Sequence, residues 1–240
     1  MWQLQETLPF NLRLIGDNEI SLVDYGSDDG LNEWILANFQ SNILDGSLRY
    51  FSVTSPTVWS APHAKNLAHR ISSGEFLYNL DADNFISEAD IQATHEVSAI
   101  ENQAIHQFSQ VHGDGSYGRI GLRRAHFQQL GGYDEGLLPM SEQDVDLIKR
   151  MALLGLKTVK APLQSKAAIE NSMQDKLVNT GSSEQTDYDE LQRINKEIIN
   201  WKLAHYGAVR TGGFASFDGV FNGKKKMRID GFNQDHRLAD

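Results

Sequence analysis

Short apolar runs alternate with stretches of helical spacing along the first 85 residues. Glu19 to Val23 predicts a strand that ends in the polar turn Asp24-Tyr25-Gly26-Ser27-Asp28-Asp29-Gly30. Leu31, Trp34, Ile35 and Phe39 then recur at the spacing of one helix face. Leu48 to Val53 predicts the next strand. After Pro62, the residues Ala64, Leu67, Ala68 and Ile71 share a helix face, and Ser72-Ser73-Gly74 stops it. Glu75 to Leu80 reads as a buried strand running straight into Asp81-Ala82-Asp83-Asn84. Two strand–helix units thus precede residue 85, the pattern of an α/β fold with a mainly parallel sheet.

The second half is less regular. Ser87 and Asp90 have the spacing of a helix N-cap pair. Tyr117 to Arg123 predicts a strand, followed by a short helix through Phe127 and Leu130 and a turn at Gly131-Gly132. Asp144 to Leu154 predicts a helix with Val145, Ile148, Met151 and Ala152 inward. Residues 172–187 are polar and predict a mobile surface segment. Tyr188, Leu191, Ile194 and Ile198 restore a helical stripe, Gly-rich turns and aromatics from Thr211 predict a hairpin, and the last ten residues read as a loose end. Residues 1–170 are expected to form the core, with 171–240 a helix and hairpin extension packed on the same domain.

Composition narrows the classes. The chain has 240 residues, enough for one large domain with a real core. Its 32 acidic against 22 basic residues give a net charge of −10, which argues against a nucleic-acid partner. There is no Cys, so disulfides, thiolate zinc sites and a cysteine nucleophile are excluded. No apolar run approaches the ~20 residues of a membrane span, and no signal peptide opens the sequence; a soluble, cytoplasmic protein is expected. His63 and His69 do not share a helix face and form no metal pair, His112 lies in a loop able to approach a substrate, and Lys224-Lys225-Lys226 reads as a solvated hairpin tip.

The chemistry concentrates at strand ends. In an open α/β sheet, ligands bind beyond the carboxyl ends of the strands. Asp81 and Asp83, one residue apart at such an end, either hold a divalent cation shared with a substrate's phosphates or cap the following helix. Asp24 ends its strand on the same side and suits an Asx turn. Lys65 and Asn66 open a helix near that edge, where Lys65 either meets a phosphate or is solvated. Arg119 either contacts a ligand or belongs to a surface cluster with Arg123 and Arg124.

Taken in order, several segments resemble the inverting family 2 glycosyltransferases of the GT-A fold. They are Asp24-Tyr25-Gly26-Ser27-Asp28-Asp29-Gly30, His63-Ala64-Lys65-Asn66-Leu67-Ala68, Ser73-Gly74-Glu75-Phe76-Leu77, Leu80-Asp81-Ala82-Asp83-Asn84, Gly118-Arg119-Ile120-Gly121-Leu122-Arg123-Arg124 with Leu130-Gly131-Gly132-Tyr133-Asp134-Glu135, and Gln143-Asp144-Val145-Asp146-Leu147 with Arg150. The last is also similar to a segment of β-1,4-galactosyltransferases. The resemblance spans residues 20–160. It implies a GT-A-like α/β fold, a nucleotide-sugar donor (UDP-linked) and a glycan acceptor, and Mn²⁺ or Mg²⁺ on Asp81 and Asp83. It further implies Asp24, Lys65, Asn66, Asp81 and Arg119 on the donor, and Asp144 as the base that deprotonates the acceptor, with Asp146 holding local structure. The setting implied is cytoplasmic surface-polysaccharide assembly.

The chain departs from that family at three places. Met1 to Pro9 resembles the helix that follows the family's first strand, so that strand is expected to be missing; the sheet edge so opened invites a partner chain and makes a homo-oligomer an expectation. Gln143 stands where the family often has Glu, and Ala167-Ala168-Ile169-Glu170-Asn171 lacks the family's extra metal-ligating His. The rival reading is a truncated or degenerate, non-catalytic nucleotide-sugar-binding or interaction protein. A third, phosphoryl transfer, is disfavoured because Gly26-Ser27-Asp28-Asp29-Gly30 is too acidic to cradle phosphate.

Overall fold

The computed structural model describes residues 1–54, 58–109, 114–163, 168–170, 185–211 and 214–230. His112, the segment 172–184 and the last ten residues lie outside them. The chain opens with helix α1 (Trp2–Leu14), then strand β1 (Ile20–Asp24), helices α2 (Leu31–Asn38) and α3 (Gln40–Asp45), strand β2 (Leu48–Val53), helix α4 (Ala61–Ile71) and strand β3 (Phe76–Tyr78). There follow α5 (Glu88–Ser98), β4 (Gln103–Phe108), β5 (Ile120–Arg123), α6 (Arg124–Leu130), α7 (Gln143–Leu153), β6 (Lys157–Pro162), α8 (Gln185–Tyr206), β7 (Phe217–Phe221) and β8 (Lys225–Ile229).

Local chemistry accounts for several boundaries. Ser87 and Asp90 close a reciprocal capping box at the start of α5, as their spacing predicts. Pro62 sits in the first turn of α4, where its missing N–H costs nothing. Gly131 and Gly132 turn the chain after α6 with φ of 75° and 65°, and a side chain on Gly132 would strike Asn66 Oδ1 at 2.5 Å.

The strands form two four-stranded sheets, ordered β1-β2-β7-β8 and β3-β5-β4-β6. β1 and β2 are parallel from Ile20↔Leu48 to Asp24↔Ser52, and β4 and β6 are also parallel. The pairs β3/β5, β4/β5, β2/β7 and β7/β8 are antiparallel. The α/β class holds, but the pairing is more antiparallel than the strand–helix alternation implies. The reason is local: β5 enters the sheet between β3 and β4, and the C-terminal hairpin pairs directly with β2.

Three apolar clusters hold these layers. α1, α2 and α3 bury Leu4, Leu8, Ile35 and Ile43 with Leu48 and Tyr50 of β2. α4 buries Leu67 and Ile71 against Phe51, Phe217 and Ile229. α6 and α7 bury Phe127, Leu147 and Met151 against Leu77, Ile120 and Leu122. Polar side chains of α1 also fasten the turn after β3. Thr7 Oγ1 donates to the Ala82 carbonyl (2.6 Å), Asn11 Nδ2 donates to the Asn84 carbonyl (2.9 Å), and Asn11 Oδ1 accepts from the Ile86 N–H (2.9 Å).

Candidate active site

Three charged side chains from distant parts of the sequence meet at the carboxyl end of β3. Lys65 reaches from α4, Asp81 follows β3, and Asp144 stands in the first turn of α7. Lys65 Nζ lies 2.9 and 3.2 Å from the two Asp144 carboxylate oxygens and 3.4 Å from Asp81 Oδ1. Lys65 and Asp144 are only 12 % and 14 % exposed, whereas Asp81 is 35 % exposed and faces the opening. The ammonium also lies 5.5 Å from the centre of the Tyr133 ring.

The backbone of Gly118 forms the floor. A Cβ there would stand 2.8 Å from Asp81 Oδ2, 3.1 Å from Lys65 Nζ and 3.2 Å from Asp144 Oδ2, so all three groups converge on a position only glycine leaves open. Asn79 Nδ2 ties this floor to the carboxylate by donating to both the Gly118 carbonyl (2.9 Å) and Asp81 Oδ1 (3.0 Å). Beside it, His106 Nε2 lies 2.8 Å from the Tyr117 carbonyl. Its acceptor is a carbonyl, so this nitrogen carries the proton. The Tyr117 ring is packed edge-on to His106 and is 46 % exposed.

Electrostatics bind the cluster together. Burial opposes the Lys65 ammonium, but Asp144 and then Asp81 outweigh it, so the lysine is held protonated well above its ordinary range. Burial pushes the Asp144 carboxyl up; Lys65 pulls it back, Asp81 pushes it further, and the net direction is upward. Burial pushes the Tyr133 phenol up as well, and its hydroxyl is buried without a partner among the described residues.

The other residues singled out from sequence are placed differently. Asp83 accepts from Asn84 Nδ2 (2.6 Å), while its carbonyl accepts from the Ile169 N–H (2.8 Å). Asp24 is 2 % exposed and accepts from the Ser27 N–H (2.8 Å) and the Tyr50 hydroxyl (3.0 Å), which makes it the anchor of its own turn. Asn66 is fully buried; its amide clamps Tyr133 through both N–H and C=O and donates to Glu135 Oε1. Arg119 corrects the expectation of a donor contact or a surface cation. It is 0 % exposed, and its three guanidinium nitrogens donate to the Tyr78 hydroxyl, the Phe85 carbonyl and Asp90. A buried cation needs such acceptors, and at this burial the guanidinium is turned inward and not to the surface.

Asp146 is buried and bonds Arg150 (2.6 Å) and Arg210 (3.0 Å); Arg210 continues to Asp134 (2.7 Å), which Lys202 of α8 also bonds. This network fixes the start of α7, and with it Asp144. Gly118, Asn79, Tyr133, His106 and Tyr117 complete the site without having been singled out as site residues from sequence. Their roles arise from contacts between distant segments; the local signals were only that Gly118 and Tyr133 lie within two of the quoted motifs.

No protein-family model matches the chain, and no curated protein sequence does either. Among solved structures, it is similar to the mannosyltransferase PcManGT from Pyrobaculum calidifontis, solved in complex with GDP-Man and Mn²⁺, with a TM-score of 0.53 and 18 % identity. That match covers 67 % of this chain and 51 % of the mannosyltransferase, so the chain spans about half of that protein. It is also similar to the 1–349 fragment of S. aureus TarS, with a TM-score of 0.52 and 15 % identity over 85 % of this chain and 68 % of the fragment. The sheets flanked by helices therefore share the GT-A-like α/β fold of these glycosyltransferases.

Proposed function

We propose that the protein is a metal-dependent, inverting glycosyltransferase that moves a sugar from a nucleotide donor, UDP-linked, to a glycan acceptor. The convergence of Lys65, Asp81 and Asp144 on Gly118 is the observation that carries this reading. In one displacement, Asp144 accepts the proton of the acceptor hydroxyl while that oxygen bonds to the anomeric carbon. The bond from that carbon to the diphosphate breaks, and the nucleoside diphosphate leaves with the electron pair. A carboxyl pushed up by burial is a stronger base than an ordinary carboxylate, which suits this role. Lys65 is the chain's own cation for the donor's phosphates, and the exposed Tyr117 ring offers an apolar face to a sugar.

The donor set suits a hard divalent cation only if the ligand shares it. Among the described residues no group of three His, Asp or Glu side chains is placed to hold a metal. Mg²⁺ or Mn²⁺ characteristically uses one or two carboxylates plus substrate phosphates, and Asp81 and Asp83 supply that number. A bound cation there stabilises the negative charge of the leaving diphosphate.

The rival reading, a nucleotide-sugar-binding protein without turnover, is favoured by one observation: Lys65 already pairs with the proposed base. Release of free nucleoside diphosphate from a panel of UDP- and GDP-sugars, with glycan acceptors and Mn²⁺, separates the two. Transferase action predicts acceptor-dependent release that Asp144→Asn lowers by 10³-fold or more with donor affinity retained. Donor binding without release in the wild type contradicts catalysis and leaves the binding protein.

A further inference from the structure

One buried hydroxyl beside the charged cluster makes no hydrogen bond among the described residues. It belongs to Tyr133, which follows the Gly131-Gly132 turn and is 1 % exposed. The ring packs edge-on against Phe127 with centroids 5.8 Å apart, lies parallel to His69 at 6.1 Å, and has the Lys65 ammonium 5.5 Å from its centre. Asn66 clamps the backbone of Tyr133 at both its N–H and its C=O. Everything about the residue except its oxygen is thus fixed by packing. A buried hydroxyl left unpaired costs stability that a phenylalanine there would not.

Other buried donors around this hydroxyl are committed. Asn79 Nδ2 serves the Gly118 carbonyl and Asp81, and Asn66 Nδ2 serves the Tyr133 carbonyl and Glu135. His106 Nε2 serves the Tyr117 carbonyl. The Arg150 guanidinium serves Asp146 and the carbonyls of Leu130 and Gly132. Lys65 holds Asp144 at both carboxylate oxygens.

That last pairing conflicts with the task of a base. A proton arriving on Asp144 forfeits the ion pair with Lys65, and both oxygens are already engaged. The diphosphate of a nucleotide donor carries more negative charge than one carboxylate, so it is the stronger claimant on the ammonium. Once Lys65 turns to the phosphates, Asp144 is a buried charge without its partner, which is costly. A neutral hydroxyl bonded to one oxygen offsets that cost and leaves the other oxygen free to take a proton.

We propose that Tyr133 is a positioning residue, whose hydroxyl donates to Asp144 when the donor's diphosphate draws Lys65 away, so that the base is both freed and held only in the donor complex. The inference rests on the transferase reading and deepens it, because it makes donor binding the step that arms Asp144.

Tyr133→Phe removes the oxygen and keeps the ring. Since the bond forms only in the donor complex, its loss must appear in donor affinity, although so buried a side chain does not reach the donor. Calorimetric titration of the intact chain with UDP and with GDP, each with Mn²⁺, is expected to show affinity about tenfold lower in Tyr133→Phe, the worth of a hydrogen bond to a charged group. The urea midpoint of the free variant should hold or rise. In an Asp144→Ala background the same substitution should leave affinity unchanged, because the hydroxyl then has no carboxylate to hold. In a Lys65→Met background the hydroxyl pairs with Asp144 in the free chain already, so Tyr133→Phe should there lower the urea midpoint without any ligand. Nucleotide affinity equal to that of the wild type, a lowered midpoint in the single variant, an effect that persists in Asp144→Ala, or an unmoved midpoint in Lys65→Met each overturns the inference and leaves the transferase reading standing. A folded wild type that binds neither nucleotide overturns that reading, and this inference with it.

Discussion

At Gly118 one methyl group decides whether the charged cluster can close. Its Cβ would sit 2.8 Å from Asp81 Oδ2 and 3.2 Å from Asp144 Oδ2, tighter than packed atoms tolerate. Gly118→Ala is expected to push the carboxylates apart at a cost of about 1–3 kcal/mol, weakening metal-dependent nucleotide binding tenfold or more while circular dichroism shows a folded chain. Lys65 sets the protonation of its partner. Lys65→Met removes the charge that pulls the Asp144 pKa down, so the acid limb of the rate profile should move to higher pH; an unmoved limb would mean that another group is the base. Asp81 and Asp83 carried a local signal as strand-end carboxylates and Lys65 one by its place in a helix near that edge, while Asp144 was singled out only through the resemblance; that Lys65, Asp81 and Asp144 meet was not legible, because three distant segments bring them together. The burial of Arg119 was not, because a sequence shows a cation but not the distant acceptors, Tyr78, Phe85 and Asp90, that enclose it.

Elements position the site through buried amides. Asn195 of α8 is fully buried, donates to the carbonyls of Met140 (3.0 Å) and Ser141 (2.9 Å), and accepts from the Leu138 N–H (2.8 Å). It thereby fixes the loop that leads into α7. Asn195→Ala leaves these groups buried and unpaired, and urea denaturation should register a loss of about 2–4 kcal/mol. Asn11 of α1 does the same for the turn carrying Asp81 and Asp83, so Asn11→Ala should lower nucleotide affinity although it lies outside the site. β1, β2, α4 and the α5 capping box were legible because apolar spacing and caps are local. β4 and β6 were not. β4 buries His106 and Gln107, polar residues that break its apolar signal, and β6 carries Lys157 and Lys160 on a half-exposed edge.

Across the molecule, acid stability follows from a histidine that no reaction step uses. Burial, then Lys65 and Arg124, push His69 down to about 3. A histidine depressed in the folded state leaves stability intact above its unfolded pKa of about 6.5 and removes it as pH falls from there toward 3. Between pH 7.5 and 5.5 its share is a loss of about 1.4 kcal/mol, and His69→Phe should abolish that share in paired urea titrations. The division into two sheets was not legible: the strand–helix alternation predicts one mainly parallel sheet, whereas the insertion of β5 between β3 and β4 and the pairing of the C-terminal hairpin with β2 are set by tertiary contacts. The central claim is that Lys65, Asp81 and Asp83 bind a nucleotide sugar with a divalent cation, beside Asp144 as the base. Calorimetric titration of the intact chain with UDP, UDP-sugars and GDP-mannose, with and without Mn²⁺, beside Asp81→Asn and Asp83→Ala, tests it most directly. The account predicts Mn²⁺-dependent binding in the wild type, lost in both variants. A folded wild type that binds no nucleotide, or binds it equally without metal and without Asp81, would contradict it.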